Sequence, residues 1–471
     1  MVSSSGIGMF WDNVLFGSRM ANPLYQNGIF CWQSIPLDAN PGHPPFLATI
    51  IALGWTLFGK SLYVSHWMML PFIFGLLWQI SNLVNHFIKD KFYHIFTFIL
   101  VIADSTLLSQ LVLVTPEIIQ LFFFFLALNA ILNEQLYLKI IALAFLGMVS
   151  YRGMMLCGGL FLIDFFIHLV IKKRSLKQFF SFQTSIAYCI AALPAIVYLY
   201  WSLSTRGWII SHPSENWGKA LAFSSIEEFV KNFGRNILVL GLQFVDFGRI
   251  TVIVFVLITL IIKRTYIQWE KVLTLLIIIF FSTIVIYSTS LLIKNTMGHR
   301  YYLPSYLSIG LLACILIDQY NIKKTVYIGL LSSLLLGNCI VYPDTFAQGW
   351  DSSLAHLPYW KLRKNAIEYM DNHNIPITET ASFFPNNTTI DNVDVNGDMR
   401  SFRIFSGNEN YIFYSNVYNL TDSEFTTLRS TYDILETFKK GGVRIEILQK
   451  KDTGTLNTTM PLSPSFYKVK K

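Results

Sequence analysis

Ionisable side chains that could do chemistry recur in this chain at one kind of place, the short loop just before an apolar run. Asp12 stands between Trp11 and Asn13, and Asp38 comes just before Gly42-His43-Pro44-Pro45. Glu117 follows Thr115-Pro116, Arg152 lies between Tyr151 and Gly153, and His299-Arg300-Tyr301 leads into Leu303-Pro304. Charged groups at a membrane boundary are costly and commonly functional. An ionised, partly desolvated carboxylate such as Asp12 within reach of a hydroxyl suits a general base. Glu117 facing it across a cavity suits acceptor binding or, together with Asp12, a divalent cation. Asp104, inside the preceding apolar run, adds a third carboxylate nearby.

The cationic partners complete the pattern. Arg152, beside a tyrosine and a glycine, suits bidentate binding of a phosphate. His299, Arg300 and Tyr301, with Lys294 close by, form a second basic and aromatic cluster. His43 suits a hydrogen bond to a sugar or phosphate. The combination describes a site for a phosphorylated lipid and a hydroxyl nucleophile. Structural roles compete at each position. Asp12 is an ordinary turn acid, and Asp38 is well suited to holding backbone N–H groups. Glu117 is a first-turn acid favoured by the helix dipole, and Arg152 could snorkel to lipid head groups.

The elements that must position these residues are membrane helices. The 471 residues are 53% hydrophobic and only 14% charged, against about 25% charged in soluble domains. Apolar runs cover 65–84, 93–110, 116–133, 137–150, 153–171, 184–203, 249–263, 270–293, 302–317 and 325–341. That makes about ten spanning candidates of the roughly 20-residue kind a bilayer requires, and 45–59 is a shorter run of interfacial or re-entrant length. A net charge of +8 could point to nucleic acid, but the basic residues sit in short clusters between apolar runs. Lys89 and Lys91, then Lys139, Lys172-Lys173-Arg174, Lys263-Arg264 and Lys323-Lys324 fall in alternate loops. Those loops are therefore cytoplasmic. Every candidate site residue then falls on the opposite, extracytoplasmic side, as does a long outer loop, 204–248.

Other features bound the reading. The five cysteines include no CxxC and read as packing residues. The first ten residues lack a basic n-region and a cleavage site, so they do not read as a signal peptide. Trp201, Trp208 and Trp217, with His212, could stack on a sugar ring, although tryptophan is also common at membrane interfaces. Asp246-Phe247-Gly248-Arg249 lacks the other parts of a kinase signature. From residue 342 onward the pattern is that of a small soluble α/β domain. A helix is expected around 350–375, strands at 401–405 and 410–420, and an amphipathic helix over 423–440. Gly441-Gly442 reads as its stop, and 443–450 as a last strand. Three parts result: a loop with catalytic-loop character (1–46), a membrane bundle (45–341) and the extracytoplasmic domain (342–471).

The acidic opening loop, the His43-Pro44-Pro45 and Thr115-Pro116-Glu117 helix starts and His299-Arg300-Tyr301-x-Leu303-Pro304 together resemble the GT-C membrane glycosyltransferases. The nearest group is the bacterial glycosyltransferase family 39 and protein O-mannosyltransferase-like set, which includes the aminoarabinose transferases. The resemblance implies a GT-C-like all-α polytopic bundle with a small C-terminal α/β domain. It also implies a polyprenyl-phosphate sugar as donor and a lipid, glycan or protein hydroxyl as acceptor. It places the catalytic base at Asp12, a second acid at Glu117 and the carrier-phosphate site at Arg152 or Arg300. Asp38, His43, His299 and Tyr301 complete the expected substrate-binding set. Two departures stand out: the family's Asp-Glu pair is replaced by Asp12-Asn13, and its first membrane helix does not precede this loop. A transporter or lipid flippase and a non-catalytic GT-C-like subunit are the rival readings. The first would require ionisable groups deep in the bilayer and an internal repeat, and no repeat is visible.

Overall fold

The computed structural model describes residues 6–210, 212, 223–262, 268–291, 293–294, 297–320, 322–344, 346 and 348–451. Trp217 and Lys263-Arg264 lie outside the described residues. The described residues of all ten apolar runs are mostly helical. Among the described residues, five helices are long and apolar enough to cross a membrane: Leu62–Phe87, Tyr151–Ile171, Phe182–Arg206, Trp269–Ser290 and His299–Gln319. Two bent pairs raise the number to seven if each pair counts as one span. Shorter apolar helices cover Phe46–Phe58, Pro116–Leu132 and Leu136–Val149.

Local chemistry explains the breaks. The run expected over 93–110 is interrupted at Asp104, whose carboxylate accepts the Thr106 and Leu107 N–H groups at 3.0 and 3.1 Å. An aspartate that caps a helix start ends the helix before it, and Lys91–Ile102 meets Ser105–Val112 at 72°. A second corner lies at Phe247-Gly248, where both residues have positive φ and Ile226–Val245 meets Arg249–Ile262 at 89°. The described part of the long loop expected over 204–248 is thus mostly helix, Ile226–Val245. The opening segment likewise carries helical turns, Val14–Arg19 and Met20–Asn27.

Pro116–Leu132 packs between Leu62–Phe87 and Leu136–Val149. Its Phe- and Leu-rich sequence is apolar all round because nearly every side chain is buried. Thr115 caps it, Pro116 opens it, and Glu117 is therefore held at its first turn.

The C-terminal part is a small α/β cap. Its sheet comprises β1 (Thr380–Ser382), β2 (Arg403–Ile404), β3 (Tyr411–Ser415), β4 (Tyr432–Lys440) and β5 (Val443–Lys450). The order is β2-β1-β3-β5-β4, with β1 parallel to both neighbours and β3 and β4 antiparallel to β5. Helix Tyr359–Asn372 packs on it. The amphipathic helix expected over 423–440 is only half present. Helix occupies Asp422–Thr431, and Tyr432–Lys440 is the edge strand instead. Gly441-Gly442 is the hairpin turn between β4 and β5, with Gly441 at φ +59°, a conformation glycine adopts without strain. Ile412, Phe413, Ile445 and Ile447 are completely buried, and each such burial is worth about 1.5–3 kcal/mol.

The cap is tied to the opening segment and to one end of the bundle. Met9 N–H donates to the Val393 carbonyl at 2.8 Å, and Asn22 donates to Asn392 at 3.0 Å. Lys60 pairs with Asp391 at 2.5 Å. Ile7, Phe10 and Leu113 share the cap's apolar core with Trp350 and Tyr359.

Candidate functional site

Beneath the cap, a turn, two helix starts and the opening segment converge on one guanidinium. Arg300 lies in the short turn His299–Tyr302 that leads into Leu303–Gln319. Its Nε is 3.1 Å from Glu117 Oε1, and its terminal nitrogens bond Asp12 and Asp351. All four side chains are at least 85% buried. Arg300 also donates to the Tyr301 hydroxyl at 2.9 Å.

A second guanidinium flanks the same acid. Ser150 caps the Tyr151–Phe166 helix by accepting the Gly153 N–H at 3.0 Å, which sets Arg152 in the first turn. Arg152 Nη1 lies 3.6 Å from Glu117 Oε1, and its Cζ lies 3.7 Å from the centre of the Tyr301 ring. Thr115 holds the other Glu117 oxygen through its hydroxyl. Nη1 of Arg152 and Nε of Arg300 are buried and face Glu117 Oε1 in charge contact, but neither makes a hydrogen bond. Buried donors of that kind favour an anionic ligand.

His43 joins the opening loop to this helix start. Its Nδ1 accepts the Tyr151 N–H at 3.1 Å, and its ring packs against Phe16 and Tyr151. Burial, and then the charge of Arg152, push its pKa down to about 3. His43 is therefore neutral at ordinary pH, with its proton on Nε2.

The structure thus brings together Asp12, Glu117, Arg152, Arg300, Tyr301 and, at the edge, His43. Two expected members lie elsewhere. Asp38 is exposed and paired with Arg19 at 2.6 Å. His299 turns away from Arg300 to Asp246, at 3.0 Å, in contact with Phe247. Asp104 is not the third carboxylate of the cluster, because it forms a buried two-point pair with Arg249 at 2.7 and 3.1 Å. Lys294 pairs with Glu228 instead. Trp201 and Trp208 do not present open faces. Arg206 packs on both rings, and Trp32 meets Trp201 edge-on.

Asp351 is the member that sequence reading missed. It sits in the Trp350–Ser352 turn, where its backbone carbonyl accepts Gln110 Nε2 at 2.8 Å. The one available signal was an acid beside a tryptophan, Trp350-Asp351, a short way beyond the last apolar run at 325–341. The expected divalent cation fits this donor set poorly. The carboxylates of Asp12, Glu117 and Asp351 are turned onto Arg300, and among the described residues no group of three His, Cys, Asp or Glu side chains could hold a metal ion.

Fold and site together define a polytopic α-helical membrane protein whose bundle ends in a buried acid and guanidinium cluster under a small α/β cap. Two crystal structures of ArnT from Cupriavidus metallidurans share this fold, one bound to undecaprenyl phosphate and one in the apo state. Each covers 95% of this chain and 95% of its own, with a TM-score of 0.50 at 10% and 12% sequence identity respectively. The GT-C architecture expected from the sequence is the one observed. No protein-family model matches the chain, and no curated protein matches it significantly.

Proposed function

We propose that this chain is an integral membrane glycosyltransferase that moves a sugar from a polyprenyl-phosphate carrier to a hydroxyl of a lipid, glycan or protein. The observation that carries this reading is the convergence of Asp12, Glu117, Arg152 and Arg300, from four separate parts of the sequence, at one end of the bundle. The ArnT fold likeness, with one structure bound to undecaprenyl phosphate, supports a lipid-phosphate donor.

In this reading the carrier phosphate takes the Arg152 and Arg300 N–H groups that face Glu117 without a hydrogen bond. That engagement loosens the Arg300 grip on Asp12, which then accepts the proton of the acceptor hydroxyl. The hydroxyl oxygen bonds to the anomeric carbon as the bond to the phosphate oxygen breaks, with inversion. Glu117 keeps both guanidiniums oriented. The basic loops at the other end of the bundle support an extracytoplasmic cap, in a bacterial inner membrane.

A second reading is a non-catalytic GT-C-like subunit, favoured by the pairing of all three acids with Arg300. Membranes carrying the protein, supplied with labelled polyprenyl-phosphate sugar, distinguish the two. An enzyme transfers label, and Asp12→Asn and Glu117→Gln each abolish the transfer. Full transfer by both variants would sink the site assignment, and no transfer by the unaltered protein across lipid, glycan and protein acceptors would favour the second reading.

A further inference from the structure

At the end of the bundle away from Arg300, the Leu62–Phe87 and Pro116–Leu132 helices line a cavity of about 330 Å³. The helices run in the same direction, since Phe72 meets Phe122 and Phe123 while Gln79 meets Asn129. At about 1.5 Å of rise per residue, Asn129 lies about 18 Å along its helix from Glu117. The cavity is therefore separate from the cluster described above.

Its wall is rich in carboxamides: Gln79, Asn82, Asn85, Asn129 and Asn133. A carboxamide both donates and accepts, so such a wall matches hydroxyl groups rather than a bare ion or an alkyl chain. Asn129 donates to the Gln79 backbone and side-chain oxygens at 2.9 and 2.8 Å. Its own Oδ1 is buried without a partner, and the residue is only 4% exposed. An unpaired buried amide oxygen is costly, and a ligand hydroxyl would satisfy it.

Two further residues fix the depth and the charge of the ligand. Lys89, anchored to the Asn85 carbonyl at 2.7 Å, sets an ammonium on the lining. Trp78, also on the lining, is 67% exposed on a membrane helix, as expected of tryptophan at head-group level. The volume lies at the lower end of small-molecule sites, roughly 300–1,000 Å³, and suits a head group more than a whole lipid.

We propose that this cavity binds the head group of an anionic, polyol-bearing phospholipid, with its phosphate on Lys89 and its hydroxyls on the carboxamides. The test uses the full-length protein, delipidated in detergent, with phosphatidylglycerol, phosphatidic acid and phosphatidylcholine compared by native mass spectrometry. Phosphatidylglycerol is expected to bind at least tenfold tighter than either of the others. The double variant Asn82→Leu/Asn85→Leu should remove that preference, and Lys89→Leu should weaken both anionic lipids. These three residues are exposed, so the variants keep the wild-type melting temperature. Equal retention of the three lipids, or a preference that the variants leave intact, overturns the assignment. Tight binding of glycerol 3-phosphate with no gain from acyl chains would assign the cavity to a soluble polyol phosphate and overturn the lipid.

Discussion

Arg300 Nε stands 3.1 Å from Glu117 Oε1, joining the turn before one membrane helix to the first turn of another. The same guanidinium bonds Asp12 and Asp351, so its removal strands those two carboxylates and leaves Glu117 to Arg152 and Thr115. Losing one partner of a buried pair costs roughly 3–5 kcal/mol. Arg300→Leu is expected to lower the melting temperature in detergent sharply and to abolish sugar transfer. Arg300→Lys keeps the charge without the planar fork, so it should recover part of the stability and none of the transfer. Tryptophan-fluorescence melts and the labelled-donor assay read both effects. A Leu variant that melts with the wild type would show that the grip is not structural.

Asp351 reaches Arg300 from the cap side and touches neither of the other acids by hydrogen bond among the described contacts. It is a positioning residue for the guanidinium. Asp351→Asn should lower kcat/KM by about tenfold, about 1.4 kcal/mol, with the loss in KM for the donor and kcat little changed. Asp12→Asn should instead lose kcat. If Asp351→Asn reduces kcat at unchanged KM, the positioning role is wrong.

The helix starts that carry Glu117, Arg152 and Arg300 were legible in the sequence, because Thr-Pro, Ser-Tyr-Arg-Gly and Leu-Pro each have local reasons to begin a helix. What those residues then meet was not legible. Asp104 looked available until the positive-φ corner at Phe247 and Gly248 carried Arg249 onto it. Asp351 looked like part of a soluble domain, and only the packing of the Ser105–Val112 helix against the Trp350–Ser352 turn brings it to the cluster. In the cap, Tyr432–Lys440 satisfies helical and strand periods alike. Pairing with Val443–Lys450 decides it, as non-local contacts commonly do for strands.

Gly42 carries the turn before His43 at φ +89°, and a Cβ there would collide with the Ile210 carbonyl oxygen. The same loop is held by the Tyr198 hydroxyl, which donates to the Gly42 carbonyl at 2.7 Å. Gly42→Ala is therefore expected to cost about 1–3 kcal/mol from backbone strain alone, more with the clash, and to pull His43 off the Tyr151 N–H. Transfer should fall with it, whereas Gly329→Ala, at an open helical position without positive φ, should leave transfer near wild type. Equal melting temperatures and activities for the two variants would show that the loop relaxes freely.

His356 supplies a pH signature for the cap. It is completely buried, with its ring stacked on Phe10 at 4.8 Å and its Nδ1–H donating to the Ser353 carbonyl at 2.7 Å. Burial pushes its pKa down to about 4, against about 6.5 in an unfolded chain. Below pH 6.5 the unfolded state takes up the proton while the folded state refuses it. The resulting stability is complete above about pH 6.5 and is lost as pH falls toward 4, on the order of 3 kcal/mol in all. His356→Gln removes that titration, so its melting temperature should fall less steeply between pH 7 and pH 4.5 than that of the wild type. Parallel pH profiles for the two proteins would exclude His356 as the source.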